Sequence, residues 1–341
     1  MKSRTPINAG GRQHPESNID IKWNASLTYA GPYPTPGKRF YRLETLNNAL
    51  QQYVHQKSRF LWAGLNSAVK GAGIVSLLFD LIYEDTMRLV YRVTAFTSQR
   101  KRIPIRLVVA KNHEECSATL AREYGILGSL HSQAPGRIFL PLQQGLIYLP
   151  DRHHRKEVER ELFAYLGTPP VELIPLYAAS PSQFGPHGPQ PLRYSVKDTE
   201  ALKCALISLL AACYDEQAFS GIDINDLTPE SFSVVEGSEK RLSLMLTQCP
   251  MIRKRLPSGR FLQKLLFGTL RSGKTVMPVA PARPDQFFQA LAKEITEEKA
   301  RMWCRAFMDR YTRHLHPPQA DQDIDLPGKD YVEALAASAG L

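Results

Sequence analysis

A segment from Gly268 to Thr275, with the sequence GTLRSGKT, matches the nucleotide-binding pattern G-x-x-x-x-G-K-[S/T] literally. In that pattern backbone N–H groups cradle phosphates, Lys274 would reach the γ-phosphate and Thr275 would bind magnesium. Such a loop needs a buried strand before it and a helix after it. Here a basic amphipathic helix is predicted before the motif, and the prolines that follow it prevent a helix. The context favours a basic turn between helices, and a P-loop NTPase is kept as an alternative function.

Positive charge is concentrated around this motif. The chain carries 43 basic and 33 acidic residues, for a net charge of +10, and residues 241–284 hold nine basic side chains and no acidic one. Such a block attracts an anionic partner: a phosphorylated substrate, a nucleic acid or an anionic membrane surface. A solvated basic face with no partner is the alternative interpretation. The candidate anion-binding residues are Arg253, Lys254, Arg255, Arg260 and Lys264.

Cysteine and histidine residues do not form a recognisable ligand pattern. The five cysteines are scattered, include no C-x-x-C pair and read as buried, reduced thiols. His314 and His316 are spaced as H-x-H, but no third ligand lies at a metal-binding distance along the chain. The sequence therefore predicts no metal site built from these residues.

The elements that must position the candidate residues change in character along the chain. Residues 1–37 contain five prolines and little apolar periodicity, which is typical of a flexible arm. Residues 38–177 predict a helix over 41–62 and then a sheet-rich region. Residues 178–194 contain four prolines and predict a hinge, and 195–341 predict a mainly helical region.

Three runs rich in β-branched and aromatic residues predict an antiparallel meander over 74–82, 88–97 and 103–111, with a helix as the alternative for the first, short apolar run. Between the meander and the hinge, we predict a helix over 112–131, two strands within 137–149, a helix over 156–166 and a strand over 171–177. After the hinge, we predict an apolar helix from Ser195, a hairpin turning at Glu236–Ser238, and helices over 258–270, 285–315 and 329–338.

This order of elements resembles the protein-kinase-like fold, and most closely the small bacterial branch that includes lipopolysaccharide core kinases. The sequence VVAK, which ends at Lys111, is similar to the third-strand V-A-I-K pattern of that superfamily. The sequence DLTPES, from Asp226 to Ser231, is similar to its catalytic loop D-L-x-P-x-N. The resemblance implies an α+β fold of two lobes, a small antiparallel-sheet lobe and a larger, mostly helical lobe.

The resemblance also implies site residues, with ATP and magnesium as cofactors. Lys111 would pair the α- and β-phosphates, and Glu123 would hold Lys111 from the following helix, with Glu114 or Glu115 as alternatives. Asp226 would be the catalytic base that accepts a hydroxyl proton.

Three departures from the family pattern bear on catalysis. Ser231 stands where the family has asparagine, and serine is a poorer magnesium ligand. Residues 241–248 contain no metal-binding aspartate, and Gly71 and Gly73 lie too far upstream to form a glycine-rich phosphate loop. A phosphotransferase without its metal aspartate loses much of the charge neutralisation of its transition state. The sequence therefore predicts a kinase-like protein that binds a nucleotide or phosphorylated ligand with weak or no phosphoryl transfer.

Other interpretations use the same residues differently. A non-enzymatic interaction protein could bind nucleic acid or an anionic surface through residues 241–283, and Lys111 and Asp226 could be ordinary surface charges at the ends of elements. The chain has no apolar run of about 18 residues, which argues against a transmembrane helix. The N-terminus lacks the apolar core of a signal peptide. We therefore expect a cytoplasmic protein, or one exported without a Sec-type signal.

Overall fold

A computed structural model gives an α+β fold with a six-stranded mixed sheet and, in the described residues, eight α-helices. The structure describes residues 19–24, 41–57, 59–112, 115–150, 159–169, 173–176, 196–236, 242–249, 254–272, 275–314 and 327–341. The predicted hinge, 178–194, and most of the predicted N-terminal arm lie outside these ranges.

The sheet is built mainly from the predicted meander. Its strands are β1 (Asp20–Asn24), β2 (Ile74–Glu84), β3 (Arg88–Thr97), β4 (Arg102–Ala110), β5 (Pro141–Pro150) and β6 (Glu159–Gly167). Their order across the sheet is β1-β2-β3-β4-β6-β5, and every neighbouring pair is antiparallel except β1 with β2. The strand β1 lies within the segment expected to be a flexible arm, where Trp23 stacks on Phe79 with ring centroids 4.3 Å apart.

Helices cover both faces of this sheet. On one face, α1 (Leu43–His55) and α2 (Arg59–Val69) bury a core with the sheet residues Leu107, Leu162 and Leu166. The helix α2 approaches the sheet closely, since a Cβ built on Gly64 would lie 2.3 Å from the Leu166 side chain. On the other face lies α3 (Glu115–Gln133), whose buried residues form a core with Val108 and Tyr165.

That second core continues into the C-terminal part of the chain. Its helices are α4 (Val196–Ala212), α5 (Ser258–Phe267), α6 (Pro284–Ile295), α7 (Glu297–His314) and α8 (Lys329–Ser338). Its short strands are β7 (Ile174–Pro175), β8 (Ser220–Gly221), β9 (Phe232–Glu236), β10 (Leu242–Leu246), β11 (Lys254–Arg255), β12 (Thr269–Ser272) and β13 (Thr275–Pro278). The predicted hairpin is confirmed, because β9 and β10 pair antiparallel.

Several sequence-based predictions are wrong: the two strands expected within 137–149 are the single strand β5, and the helix expected over 285–315 is the two helices α6 and α7. The helix predicted over 156–166 is instead the strand β6, whose residues Leu162–Leu166 are a continuous apolar run buried on both faces. Such a short run fits a helix or a buried strand equally well. The single helix predicted over 41–62 is two helices, and both Lys57 and Arg59 at the break have positive φ angles. Within the described ranges, no helix has the length and apolar character required to cross a membrane.

Candidate functional site

Lys111 follows the last residue of β4 and is one of the largest fully buried side chains of the protein, with 1% of its surface exposed. Its Nζ lies 2.9 Å from Glu84 Oε1 and donates a hydrogen bond of 2.8 Å to the Asp85 carbonyl oxygen. The Glu84 side chain is equally buried. The lysine charge is therefore neutralised inside the protein, at the turn between β2 and β3.

The turn that receives Lys111 is fixed by its own hydrogen bonds. Asp85 Oδ1 accepts from the backbone N–H groups of Met87 and Arg88, at 2.7 and 2.8 Å, and Asp85 Oδ2 accepts from the Tyr83 hydroxyl at 3.1 Å. The Lys111 backbone N–H donates to the Met87 carbonyl oxygen. Because an aspartate favours such turns by bonding the backbone two or three residues on, the sequence YEDTMR closes the hairpin tightly.

Glu123 lies in the middle of α3 and is completely buried. Its Oε1 lies 2.5 Å from Arg88 Nη1 and accepts from the Tyr165 hydroxyl at 2.6 Å, while its Oε2 accepts from the Cys249 backbone N–H at 3.0 Å. One carboxylate thus joins the sheet, α3 and the segment that follows β10. We call the residues Glu84, Lys111, Arg88, Glu123 and Tyr165 the buried ionic network.

Burial and charge act together on the titration of this network. Burial by itself lowers the pKa of Arg88, but the negative charges of Glu123 and Asp85 raise the pKa above its ordinary value, so the guanidinium stays protonated. Burial first, and then the charge of Glu123, raises the pKa of Tyr165 well above its ordinary value. The phenol therefore stays a hydrogen-bond donor to the carboxylate.

The expected pairing of Lys111 with Glu123 is wrong. Lys111 is paired with Glu84, and Glu123 is paired with Arg88, which extends from the first residue of β3. Of the alternative partners, Glu115 is exposed and Glu114 lies outside the described residues. The predicted meander contained a signal for the pairing with Glu84. In three consecutive antiparallel strands, the turn between the first two lies at the same edge of the sheet as the end of the third strand, so Glu84 is expected near Lys111. In the observed register Arg88 is opposite Ala110, directly before Lys111.

The DLTPES segment forms two short 3₁₀ turns, Ile224–Asp226 and Pro229–Ser231. Asp226 is partly buried at the end of the first turn. Ser231 is 3% exposed, and its hydroxyl oxygen accepts from the Thr228 backbone N–H at 3.2 Å. Its carbonyl oxygen accepts from the Thr247 backbone N–H at 2.8 Å. Ser231 therefore has a structural role at this turn.

The strand β10 ends in the region where the resemblance requires a metal-binding aspartate. The residues that follow it, Thr247, Gln248 and Cys249, are buried and uncharged. Across the ranges that the structure describes, no group of three or more histidine, cysteine, aspartate or glutamate residues is placed to hold a metal ion.

The candidate anion-binding residues differ in solvent exposure and in their contacts. Arg255 and Arg260 are exposed, whereas Lys264 lies 3.2 Å from Asp223 Oδ2, beside the DLTPES segment. Lys254 lies in β11, and Arg253 is outside the described residues. The basic amphipathic helix predicted before Gly268 is confirmed as α5, whose apolar side chains Phe261, Leu262, Leu265 and Leu266 are fully buried.

The P-loop-like motif lacks the structural context that it requires. The helix α5 precedes Gly268, and the strands β12 and β13 pair antiparallel on either side of residues 273–274. The segment is therefore a β-hairpin, where a P-loop NTPase has a turn from a strand into a helix. The expected turn between two helices is also wrong, because a strand precedes and a strand follows residues 273–274.

Comparison with known proteins found no family model and no curated protein that matches this chain.

Proposed function

We propose that the chain is a two-lobed, kinase-like protein without phosphoryl-transfer activity, which acts by binding rather than by catalysis. The order of its elements supports the proposal. A meander ends at Lys111, a helix carrying Glu123 follows, and two more strands complete the sheet. Beyond them come an apolar helix, the segment holding Asp226 and a β-hairpin.

The observation that carries the proposal is the sealed ion pair between Lys111 and Glu84. A lysine that contacts ATP must present its ammonium to the phosphates, but here Lys111 Nζ lies within 2.9 Å of two protein oxygens, Glu84 Oε1 and the Asp85 carbonyl oxygen. If Lys111 left Glu84 to bind a phosphate, the Glu84 carboxylate would remain buried without a cation, which is strongly unfavourable.

The remaining residues also do not fit magnesium-bound ATP in the way that the resemblance implies. The end of β10 offers Thr247 and Gln248 where a carboxylate would neutralise magnesium. The Ser231 oxygens already accept hydrogen bonds from Thr228 and Thr247. We therefore derive no catalytic step through ATP or magnesium.

An assay of phosphoryl transfer tests the proposal. The purified chain is incubated with γ-labelled ATP and magnesium, alone and with a general protein substrate, beside Lys111→Ala and the exposed-residue control Lys101→Ala. We expect the same background transfer from all three proteins. Magnesium-dependent transfer that persists in Lys101→Ala and disappears in a folded Lys111→Ala would refute the loss of activity.

A second candidate function is the binding of an anionic partner, because Arg260 in α5 and Arg255 shortly before it are exposed, while the apolar face of α5 is buried. The probes are heparin and phosphatidylserine vesicles, measured at rising salt. We expect Arg255→Glu and Arg260→Glu each to weaken binding, while Arg122→Glu, the same change at an exposed position on α3, does not. Equal loss in all three variants would indicate a net-charge effect without a dedicated surface.

A further inference from the structure

A cavity of about 450 Å³ opens where the loop after α4 meets α5 and α7. Its volume lies in the range of small-molecule sites, roughly 300–1,000 Å³. Apolar and aromatic side chains dominate its wall, with Tyr214 and Phe219 from the loop and Met302 and Trp303 from α7. None of these residues belongs to the buried ionic network.

The rear wall of the cavity is a fixed aromatic surface. The rings of Tyr214 and Trp303 meet edge to face with centroids 4.8 Å apart, and Phe261 packs edge to face on Trp303 from behind. The Tyr214 hydroxyl donates a hydrogen bond of 2.7 Å to the Leu256 carbonyl oxygen, which holds the ring in place. A ligand would therefore meet a preformed surface and pay little for ordering it.

The mouth of the cavity carries two large apolar side chains that remain accessible to solvent. Phe219 is 51% exposed and Met302 is 62% exposed. Phe219 also has a φ of +48°, which is unusual for a bulky residue. Its carbonyl oxygen accepts from the Leu256 backbone N–H at 2.7 Å, which secures this conformation. Strained residues held by their surroundings are concentrated at ligand sites.

The charges that line the cavity leave an excess of negative charge. Lys299 Nζ lies 2.6 Å from Glu216 Oε2, so this pair is neutral. Glu298 also lines the cavity, is exposed, and has no ion-pair partner among the residues that the structure describes. Burial, and then the charges of Glu216 and Asp215, raise the pKa of Tyr214, which is consistent with a negative potential at the rear wall.

We propose that this cavity binds a small organic cation, namely an alkylammonium group attached to an apolar body. The ammonium lies beside Glu298 and against the aromatic side chains that line the cavity, and the apolar body contacts Met302 and Phe219. Aromatic faces attract cations through their quadrupole, and a nearby carboxylate adds a direct charge interaction. The inference does not depend on the proposed function, because it uses none of the same residues.

Isothermal titration calorimetry with defined probes tests the inference. Benzyltrimethylammonium is the first probe, since it joins a quaternary ammonium to an apolar ring. Choline and 3,3-dimethylbutan-1-ol form a matched pair of the same shape in which only choline is charged. We expect both cations to bind, and choline to bind at least about fivefold more tightly than the neutral isostere. Absence of cation binding, or equal affinity for the matched pair, overturns the proposal.

Substitutions of residues that line the cavity test whether the cation binds there. Glu298→Gln is expected to weaken binding of benzyltrimethylammonium by about fivefold, and Phe219→Gly by about threefold. Glu297→Gln is the control, because Glu297 lies in the same first turn of α7 but does not line the cavity. It should leave the affinity within about twofold of the parent. Equal weakening by Glu297→Gln and Glu298→Gln would show a general charge effect and overturn the assignment of the site.

Discussion

Charged side chains are buried in the buried ionic network but exposed to solvent at the cavity lined by Tyr214 and Trp303. In the network, Lys111, Glu84 and Glu123 are all but inaccessible to water and bonded to protein partners. At the cavity, Glu298 and Phe219 are exposed beside an open volume. Residue types that are common in catalytic sites are therefore bonded within the fold, whereas residues that match no motif line an open volume.

The energetic basis of this contrast is the cost of burying charge. A buried ion pair adds little net stability relative to well-packed apolar residues, yet removal of one partner costs about 3–5 kcal/mol because the other charge stays behind. An exposed aromatic residue contributes little to folding. The two regions should therefore respond to substitution by very different amounts.

The largest effect is expected for Lys111→Met, which leaves Glu84 buried without its cation. We expect the free energy of unfolding to fall by about 3–5 kcal/mol, measured by urea denaturation. The double variant Glu84→Gln/Lys111→Met removes both charges and should recover about 2 kcal/mol of that loss. A Lys111→Met variant as stable as the exposed control Lys101→Met would show that the pair is not structural.

An intermediate effect is expected for Tyr165→Phe, which removes one hydrogen bond from the buried carboxylate of Glu123. The expected loss is about 1–3 kcal/mol at neutral pH, again from urea denaturation. An unchanged free energy of unfolding would mean that Glu123 does not need this donor.

The same variant tests the raised pKa of Tyr165. In the unfolded chain a tyrosine ionises near its ordinary pKa of about 10, whereas the folded protein keeps Tyr165 protonated above that value. The stability from this shift is fully present below about pH 10 and is lost as the pH rises towards the folded-state pKa. Stability should therefore decline less steeply above about pH 10 in Tyr165→Phe than in the parent. Identical alkaline slopes would contradict the assignment.

The smallest effect is expected for Phe219→Gly, which removes a half-exposed ring and relieves a positive φ angle. The free energy of unfolding should change by less than about 1 kcal/mol, because relief of the backbone offsets the entropy that glycine adds to the unfolded chain. By contrast, Phe287→Ala at a fully buried position should cost about 3–5 kcal/mol. A comparable loss in both variants would remove the distinction between the two regions.

The sequence predicted the parts of the fold that depend on local patterns. Runs of β-branched residues indicated β2, β3 and β4, and the spacing of Leu262, Leu265 and Leu266 indicated the inward face of α5. It did not predict β6, whose apolar run has no diagnostic period, nor β1, whose parallel pairing with β2 joins residues more than fifty positions apart.

The candidate site was predictable only in part, because its partners are set by tertiary contacts. The end of β4 was correctly placed, but Lys111 pairs with Glu84 at the turn between β2 and β3 rather than with the next helix. The cavity could not be predicted, because Tyr214, Phe219 and Trp303 are brought together by the packing of α5 and α7 and match no motif.

Chemical labelling of lysines tests the central claim most directly, namely that Lys111 is a sealed structural cation rather than a phosphate ligand. The native chain is treated with an acyl-phosphate derivative of ATP, with and without magnesium and competing ATP, and each lysine is quantified by mass spectrometry. We expect Lys101 to be labelled, and Lys111 to react only after the protein is unfolded. Rapid labelling of Lys111 in the native chain, suppressed by competing ATP, would contradict the account.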